Sequence, residues 1–82
     1  MKSLKFKLSP IEGEVLEGSA QKIFVKDSHT VLTILENHAP LVSTLSKGQV
    51  DIYPSEGEKQ SYSFEQGFLR TQDNLCSITL LQ

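Results

Sequence analysis

The 82-residue chain contains no tryptophan, one methionine and a single cysteine. Because a disulfide needs two thiols, Cys76 cannot form one within the chain, which argues against a secreted scaffold stapled by disulfides and favours a reducing compartment. Ten acidic residues against eight basic ones give a net charge of −2. With no basic surplus to hold a phosphate backbone, nucleic-acid binding is not expected.

Long apolar runs are also missing from the sequence. The uninterrupted ones are only a few residues long, whereas a helix needs roughly 20 apolar residues to span a bilayer. No linker, internal repeat or low-complexity stretch divides the chain. A chain of 82 residues can bury one modest core, so we predict a single domain over residues 1–82.

Apolar and polar residues alternate along most of the chain, and no segment has a sustained helical period. Residues 4–8 and 75–81 show the alternation clearly, which indicates half-buried strands. Asp73-Asn74 predicts a turn that tolerates left-handed geometry. The nearly all-apolar run 31–35 predicts a strand covered on both faces, and 41–45 is interpreted as irregular or extended. About eight or nine such strands predict an antiparallel sandwich or barrel.

Candidate catalytic and metal-binding residues are few. His29 and His38 are the only histidines, and zinc sites need clusters of three or four ligands. Cys76 alternates with core positions, so we interpret it as a buried, inert thiol rather than a nucleophile. The glycines match neither the dinucleotide-binding nor the Walker spacing. We therefore predict no catalytic residue, no metal and no cofactor.

Two further features bear on surfaces. The aromatic residues Tyr53, Tyr62, Phe64 and Phe68 could stack on bases, but their alternation favours core packing or cross-strand pairs. The segment 37–42 places apolar residues beside a bend stiffened by proline, outside the clear strand pattern. Such a bend is either an exposed contact patch or a buried corner, and periodicity leaves both open.

The sequence resembles one known family over essentially its whole length. Residues 34–45, ILENHAPLVSTL, resemble the I-x-P-x-H-A-P-L-[LV]-[ST]-x-[LI] segment of the epsilon subunit of F-type ATP synthases, which is called delta in mitochondria. Residues 66–74, QGFLRTQDN, are similar to the family's G-G-[FI]-[LV]-E-V-x-x-N, and residues 75–81 resemble the strand that follows. Thr33 and Glu36 stand where the family usually has glycine and proline.

The resemblance implies an all-β fold, a small antiparallel β-sandwich of about eight to ten short strands. It implies a non-catalytic rotor subunit of the central stalk that links the gamma subunit to the c-ring and couples proton flow to ATP synthesis. We expect it to be peripheral, at the cytoplasmic face of a bacterial inner membrane or at the equivalent membrane of an organelle. The family also carries a C-terminal pair of helices, which this sequence does not include, so helical autoinhibition is not expected.

The resemblance and the bend together predict two contact sites. We expect the gamma subunit to contact His38, Ala39, Pro40, Leu41 and Val42. We expect the polar turn before the bend to meet the c-ring through Ser28, His29, Thr30 and Val31. The alternative function is a free-standing β-sandwich that binds another protein or a ligand. A small cysteine hydrolase using Cys76 is a weaker alternative.

Overall fold

The structure is a computed structural model that describes residues 3–10, 13–55 and 57–81. Within these ranges the chain forms nine β-strands and no helix. No described residue therefore belongs to a helix that could cross a membrane. The strands are β1 (Leu4–Pro10), β2 (Leu16–Ala20), β3 (Lys22–Asp27), β4 (Val31–Ile34), β5 (Leu41–Leu45), β6 (Gly48–Tyr53), β7 (Gln60–Phe64), β8 (Gln66–Gln72) and β9 (Leu75–Leu81).

The strands form two sheets. Sheet A has the order β2-β1-β9-β8-β5, and sheet B has the order β4-β3-β6-β7. All pairings among the described strands are antiparallel except that of β1 with β9, which run parallel side by side. The chain crosses between the sheets after β2, β4, β5 and β7. The predicted all-β sandwich is confirmed.

One hydrophobic core lies between the two sheets, as the alternation predicts. In β1 and β9 every second side chain is buried, so Leu4 and Ile78 point inward while Lys5 and Thr79 point outward. The buried side chains of both sheets form one cluster. Each large aliphatic side chain in it contributes about 1.5–3 kcal/mol through removal from water. The fully buried aliphatic residues include Leu4, Leu8, Ile23, Val25, Ile34, Val50, Ile52, Leu69, Ile78 and Leu80.

Strand β4 differs from its prediction. The apolar run 31–35 predicts a strand covered on both faces, but β4 is the edge strand of sheet B, and Val31 and Leu35 are exposed. Only Ile34 is fully buried, with Leu32 packed partly against the core. In a two-layer sandwich each sheet has one face without a covering layer. Consecutive residues of a strand point to opposite faces, so a run of consecutive apolar residues must include exposed ones.

The connections at the two ends of β4 carry the predicted contact residues. The hairpin between β3 and β4, together with the first residue of β4, comprises residues 28–31 and is called the tip. The connection from β4 to β5 comprises residues 35–40 and is called the bend. Residues 41–45, interpreted from sequence as irregular or extended, form the regular strand β5 at the edge of sheet A.

Strand β6 approaches β3 very closely beside the tip. A Cβ atom on Gly48 would lie 2.1 Å from the carbonyl oxygen of Lys26 and 2.6 Å from the Cα atom of Asp27. Because both atoms belong to the backbone of β3, they cannot move aside without disturbing the pairing. Glycine is therefore required where β6 begins.

Candidate functional site

The bend is a tight turn built around a left-handed residue. Asn37 has φ of 56°, a conformation that asparagine tolerates better than most residues. The His38 amide donates a hydrogen bond to the carbonyl oxygen of Leu35 at 3.2 Å, which closes the turn. Pro40 then leads directly into β5. The backbone of the bend is thus restrained on both sides of His38.

Asn74 ties the bend to sheet A. Its Oδ1 accepts a hydrogen bond from the Asn37 amide at 2.8 Å, and its Nδ2 donates one to the carbonyl oxygen of Ser3 at 3.1 Å. The Asn74 carbonyl oxygen also accepts a hydrogen bond from the Lys5 amide at 3.1 Å. The turn predicted at Asp73-Asn74 is present, with φ of 54° and 59°. One turn residue therefore joins three segments that are distant in sequence.

The residues predicted to contact gamma form one continuous segment with mixed exposure. Ala39, Pro40 and Val42 are exposed, whereas His38 and Leu41 are half-buried and Leu41 packs partly against the core. The His38 Nδ1 lies 2.8 Å from the carbonyl oxygen of Ala39, so a proton on that nitrogen would be donated to it. The segment is therefore not a buried corner, and the contact expected of it stays a prediction.

Sequence reasoning missed an apolar strip that continues from this segment. Val42 and Phe68, 60% and 43% exposed, lie on the outer face of sheet A with Leu81. In the register, Thr44 pairs with Phe68 and Gln66 pairs with Leu81, so the three apolar side chains follow a diagonal across β5, β8 and β9. Phe68 was expected in the core or in a cross-strand pair; it is not in the core, and it pairs across the strands with Thr44 and Thr79. Because Phe68 and Leu69 are adjacent and both apolar, alternation alone did not show which one faces outward.

The tip is organised by the carboxylate of Asp27. Its Oδ1 accepts hydrogen bonds from the amides of His29 at 2.8 Å and Thr30 at 2.5 Å, and its Oδ2 accepts one from the Ser46 amide at 2.8 Å. The amide hydrogen bonds from Ser46 and His29 are the main reason that the pKa of Asp27 is lowered. Ser28, His29 and Val31 are exposed, and Thr30 is half-buried. The tip is therefore a turn held by three hydrogen bonds to Asp27, with the side chains of Ser28, His29 and Val31 exposed.

The structure does not bring the two predicted contact segments together. Residues 32–34 of β4 separate the tip from the bend, so Val31 and Leu35 lie about 13 Å apart at the usual rise per residue of a strand. His29 and His38 consequently lie at opposite ends of β4. The described residues contain no group of three or more side chains suited to hold a metal ion.

A groove of about 740 Å³ lies on the outer face of sheet B near the tip, lined by residues that include Phe24, Lys26, Gln49, Asp51 and Ser63. Asp51 is only 9% exposed. Its Oδ1 accepts hydrogen bonds from Ser61 Oγ at 2.7 Å and Gln49 Nε2 at 2.8 Å. Burial acts to raise the pKa of Asp51, but these hydrogen bonds and the charge of Lys59 outweigh it and leave the pKa lowered. The carboxylate is thus engaged within the sheet.

Cys76 lies on the inner face of β9 and is fully buried. Burial raises the pKa of its thiol to about 12, since the thiolate would lose its hydration in the core. At neutral pH the nucleophilic thiolate form is therefore scarce. These properties argue against the cysteine-hydrolase alternative.

Two packed sheets with this strand order and an exposed, proline-stiffened bend define a small β-sandwich domain. Over residues 3–81 the sequence matches the family described as ATP synthase, delta/epsilon chain, beta-sandwich domain. The chain belongs to this family, and the resemblance found in residues 34–45 and 66–74 is confirmed.

Similar proteins include bacterial epsilon chains. The chain is 40% identical over 81 residues to the ATP synthase epsilon chain of Leptospira interrogans, covering 95% of this chain and 62% of that one. It is 31% identical over 78 residues to the ATP synthase epsilon chain of Chromohalobacter salexigens, covering 95% of this chain and 55% of that one. The chain thus spans less than two thirds of the length of these relatives.

Solved structures share the fold at low sequence identity. A chain of the Euglena gracilis mitochondrial ATP synthase, from a structure of OSCP, F1 and the c-ring, superposes with a TM-score of 0.87 at 18% identity, covering 100% of this chain and 52% of that one. A chain from the central stalk and c-ring of the Tetrahymena thermophila mitochondrial ATP synthase gives a TM-score of 0.77 at 15% identity, with coverages of 95% and 63%. Both chains share the fold of this chain.

Proposed function

We propose that this chain is the epsilon-type β-sandwich of the central stalk of an F-type ATP synthase. In this role it links the gamma subunit to the c-ring, couples proton flow to ATP synthesis and contributes no catalytic residue. The observation that carries the proposal is the family match over residues 3–81. The two epsilon chains of similar sequence, at 40% and 31% identity, are bacterial, which supports a peripheral position at the cytoplasmic face of a bacterial membrane.

The gamma subunit would dock on the bend and on the apolar strip beside it. Residues 38–42 present exposed apolar side chains on a backbone restrained by Pro40 and by the hydrogen bond to Asn74. A segment that is already ordered loses little conformational entropy on binding. Phe68 extends the apolar surface from Val42 across sheet A, and contiguous apolar surface of this kind is typical of a protein contact.

The c-ring would meet the tip through Ser28, His29, Thr30 and Val31. Three of these residues are exposed on a turn that Asp27 holds from within. Because the tip and the bend lie at opposite ends of β4, one partner can occupy each without displacing the other. A close-packed sandwich between two partners transmits force with little deformation, which suits a rotor part.

Co-purification with the gamma subunit tests the first surface. Ala39→Asp places a charge on the exposed bend, and a carboxylate in an apolar contact must lose its hydration. We expect at least a roughly tenfold loss of gamma binding, with the melting temperature unchanged because Ala39 is exposed. Thr33→Asp, exposed on the outer face of sheet B, is the matched control and should bind normally. Equal recovery of gamma with both variants would refute this docking surface.

Cysteine cross-linking in the assembled complex tests the second surface. His29→Cys, introduced with Cys76→Ala so that it is the only thiol, should cross-link to cysteines placed in the polar loops of the c subunit. Lys59→Cys, in the same background, lies between β6 and β7 at the bend end of the sandwich and should not. A product with Lys59→Cys but none with His29→Cys would place the c-ring contact at the bend end of the sandwich and refute the contact proposed at the tip.

A further inference from the structure

The hydrogen bonds of Asn74 link the proposed gamma contact to the rest of sheet A. We propose that Asn74 is a positioning residue for this contact: its side chain holds the bend in the orientation in which residues 38–42 meet the partner. This inference rests on the proposed function, because it concerns the same surface. Asn74 itself would not need to touch gamma.

The bond to Asn74 ties the bend to a second segment, whereas the turn bond within the bend restrains it only locally. Asn37 is in the left-handed region, and its neighbours 35–40 belong to no strand. The local turn bond, from the His38 amide to the carbonyl oxygen of Leu35, is 3.2 Å long. The bond from the Asn37 amide to Asn74 Oδ1 is shorter, at 2.8 Å, and it anchors the turn to the opposite sheet. The bend crosses between the sheets, so this anchor sets its orientation relative to β5.

The chemistry of an asparagine side chain suits this role. Its amide has both an acceptor and a donor, and here Oδ1 accepts from the bend while Nδ2 donates to Ser3. The second bond fixes the plane of the amide, so Oδ1 faces the Asn37 amide. The φ of 59° at Asn74 also fits the two-residue turn between β8 and β9. Position 74 therefore needs both a residue that adopts a positive φ and a side chain that makes these two hydrogen bonds.

Three variants separate these two requirements. Asn74→Gly keeps the left-handed backbone, which glycine adopts readily, but removes both side-chain hydrogen bonds. Asn74→Asp keeps an acceptor for the Asn37 amide and loses the donor to Ser3. Asp73→Gly changes the preceding residue of the same turn, whose φ is also positive and whose side chain is exposed. It is the matched control.

Amide hydrogen exchange of the free chain, measured by NMR, reports on the bend without any partner, and gamma affinity reports on its presentation. For Asn74→Gly we expect exchange at Asn37 to accelerate about fivefold and the Kd for gamma to rise by a similar factor, as for loss of one hydrogen bond of ordinary strength. In Asn74→Asp, exchange at Asn37 should be slower than in Asn74→Gly, and most of the affinity for gamma should be retained. Asp73→Gly should match the wild type in both measurements.

Several results would overturn the proposal. Unchanged exchange at Asn37 in Asn74→Gly would show that the side chain does not hold the bend. Faster exchange throughout sheet A would show a loss of global stability instead of local positioning. Faster exchange at Asn37 with unchanged gamma affinity, while Ala39→Asp loses gamma binding, would show that orientation is irrelevant to docking. If Ala39→Asp also binds gamma normally, the proposed docking surface is refuted, and so is the proposal that Asn74 positions it.

Discussion

The carboxylate of Asp27 joins the end of β3 to the connection between β5 and β6. Its Oδ2 accepts a hydrogen bond at 2.8 Å from the amide of Ser46, 19 residues further along the chain. Its Oδ1 accepts hydrogen bonds from the amides of His29 and Thr30. One side chain therefore shapes the tip from within and fixes it to the neighbouring crossing between the sheets.

Stability at acid pH should depend on this carboxylate. The amides stabilise its charged form, so the pKa of Asp27 in the folded chain lies below its usual value of 3.8. Its contribution is therefore present above that value and is lost as pH falls through the lowered folded pKa. Urea unfolding followed by circular dichroism should show Asp27→Asn less stable than wild type at pH 7, with a smaller further loss on acidification. The same acid dependence in both proteins would contradict this role, and Asp73→Asn, an exposed residue, is the control.

Substitution of Gly48 should be strongly destabilising. The added Cβ of Gly48→Ala would overlap the backbone of β3, and overpacking of this kind costs about 3 kcal/mol. Gly57→Ala is the informative comparison, because no atom lies within 4 Å of its added Cβ although φ is 84°. It should cost only about 1 kcal/mol, from backbone strain. Equal unfolding free energies for the two variants would show that the close approach of β6 to β3 is unimportant.

Alanine substitution of the adjacent residues Phe68 and Leu69 of β8 should have different effects, one on gamma binding and the other on stability. Leu69 is fully buried, so Leu69→Ala should cost about 3 kcal/mol in unfolding free energy. Phe68 is on the outer face, so Phe68→Ala should cost about 1 kcal/mol or less and should weaken gamma binding instead. Chemical denaturation and a gamma titration measure the two effects. The assignment of the apolar strip fails if Phe68→Ala binds gamma as tightly as the wild type.

The thiol of Cys76 should be unreactive while the chain is folded. It is buried, with the pKa of its thiol raised to about 12, so modification by a thiol reagent at neutral pH should proceed only as fast as the sandwich opens. His29→Cys, in a Cys76→Ala background, should react at the rate of a free thiol because the tip is exposed. Rapid labelling of native Cys76 would revive the hydrolase alternative.

The sequence predicted the individual strands and turns of the fold better than it predicted which strands pair with one another. Alternation in residues 4–8 and 75–81 identified both strands and their inner faces, because the two-residue period of a strand is a local property. It could not show that β1 and β9 pair in parallel, or that β4 is an edge strand, since pairing depends on distant segments. For the same reason the turn at Asp73-Asn74 was predictable, whereas the bond from the Asn37 amide to Asn74 was not.

Within the candidate site, the sequence located the bend and the tip more clearly than it showed how each is built. The bend was recognisable from His38, Ala39 and Pro40 because proline restricts its neighbours. The outward orientation of Phe68 was not, because alternation cannot choose between two consecutive apolar residues. The role of Asp27 also depends on an amide contributed by another connection.

The parallel pairing of β1 with β9 has a consequence for the order of folding. Strand β9 is the central strand of sheet A, between the first strand of the sandwich and β8. During synthesis, all four strands of sheet B leave the ribosome before β9 does, and they can pair with one another first. The β1–β2 and β5–β8 pairs of sheet A can also form early, but β9 lies between these two pairs and joins them. Sheet A therefore cannot close over the core until β9 has been made.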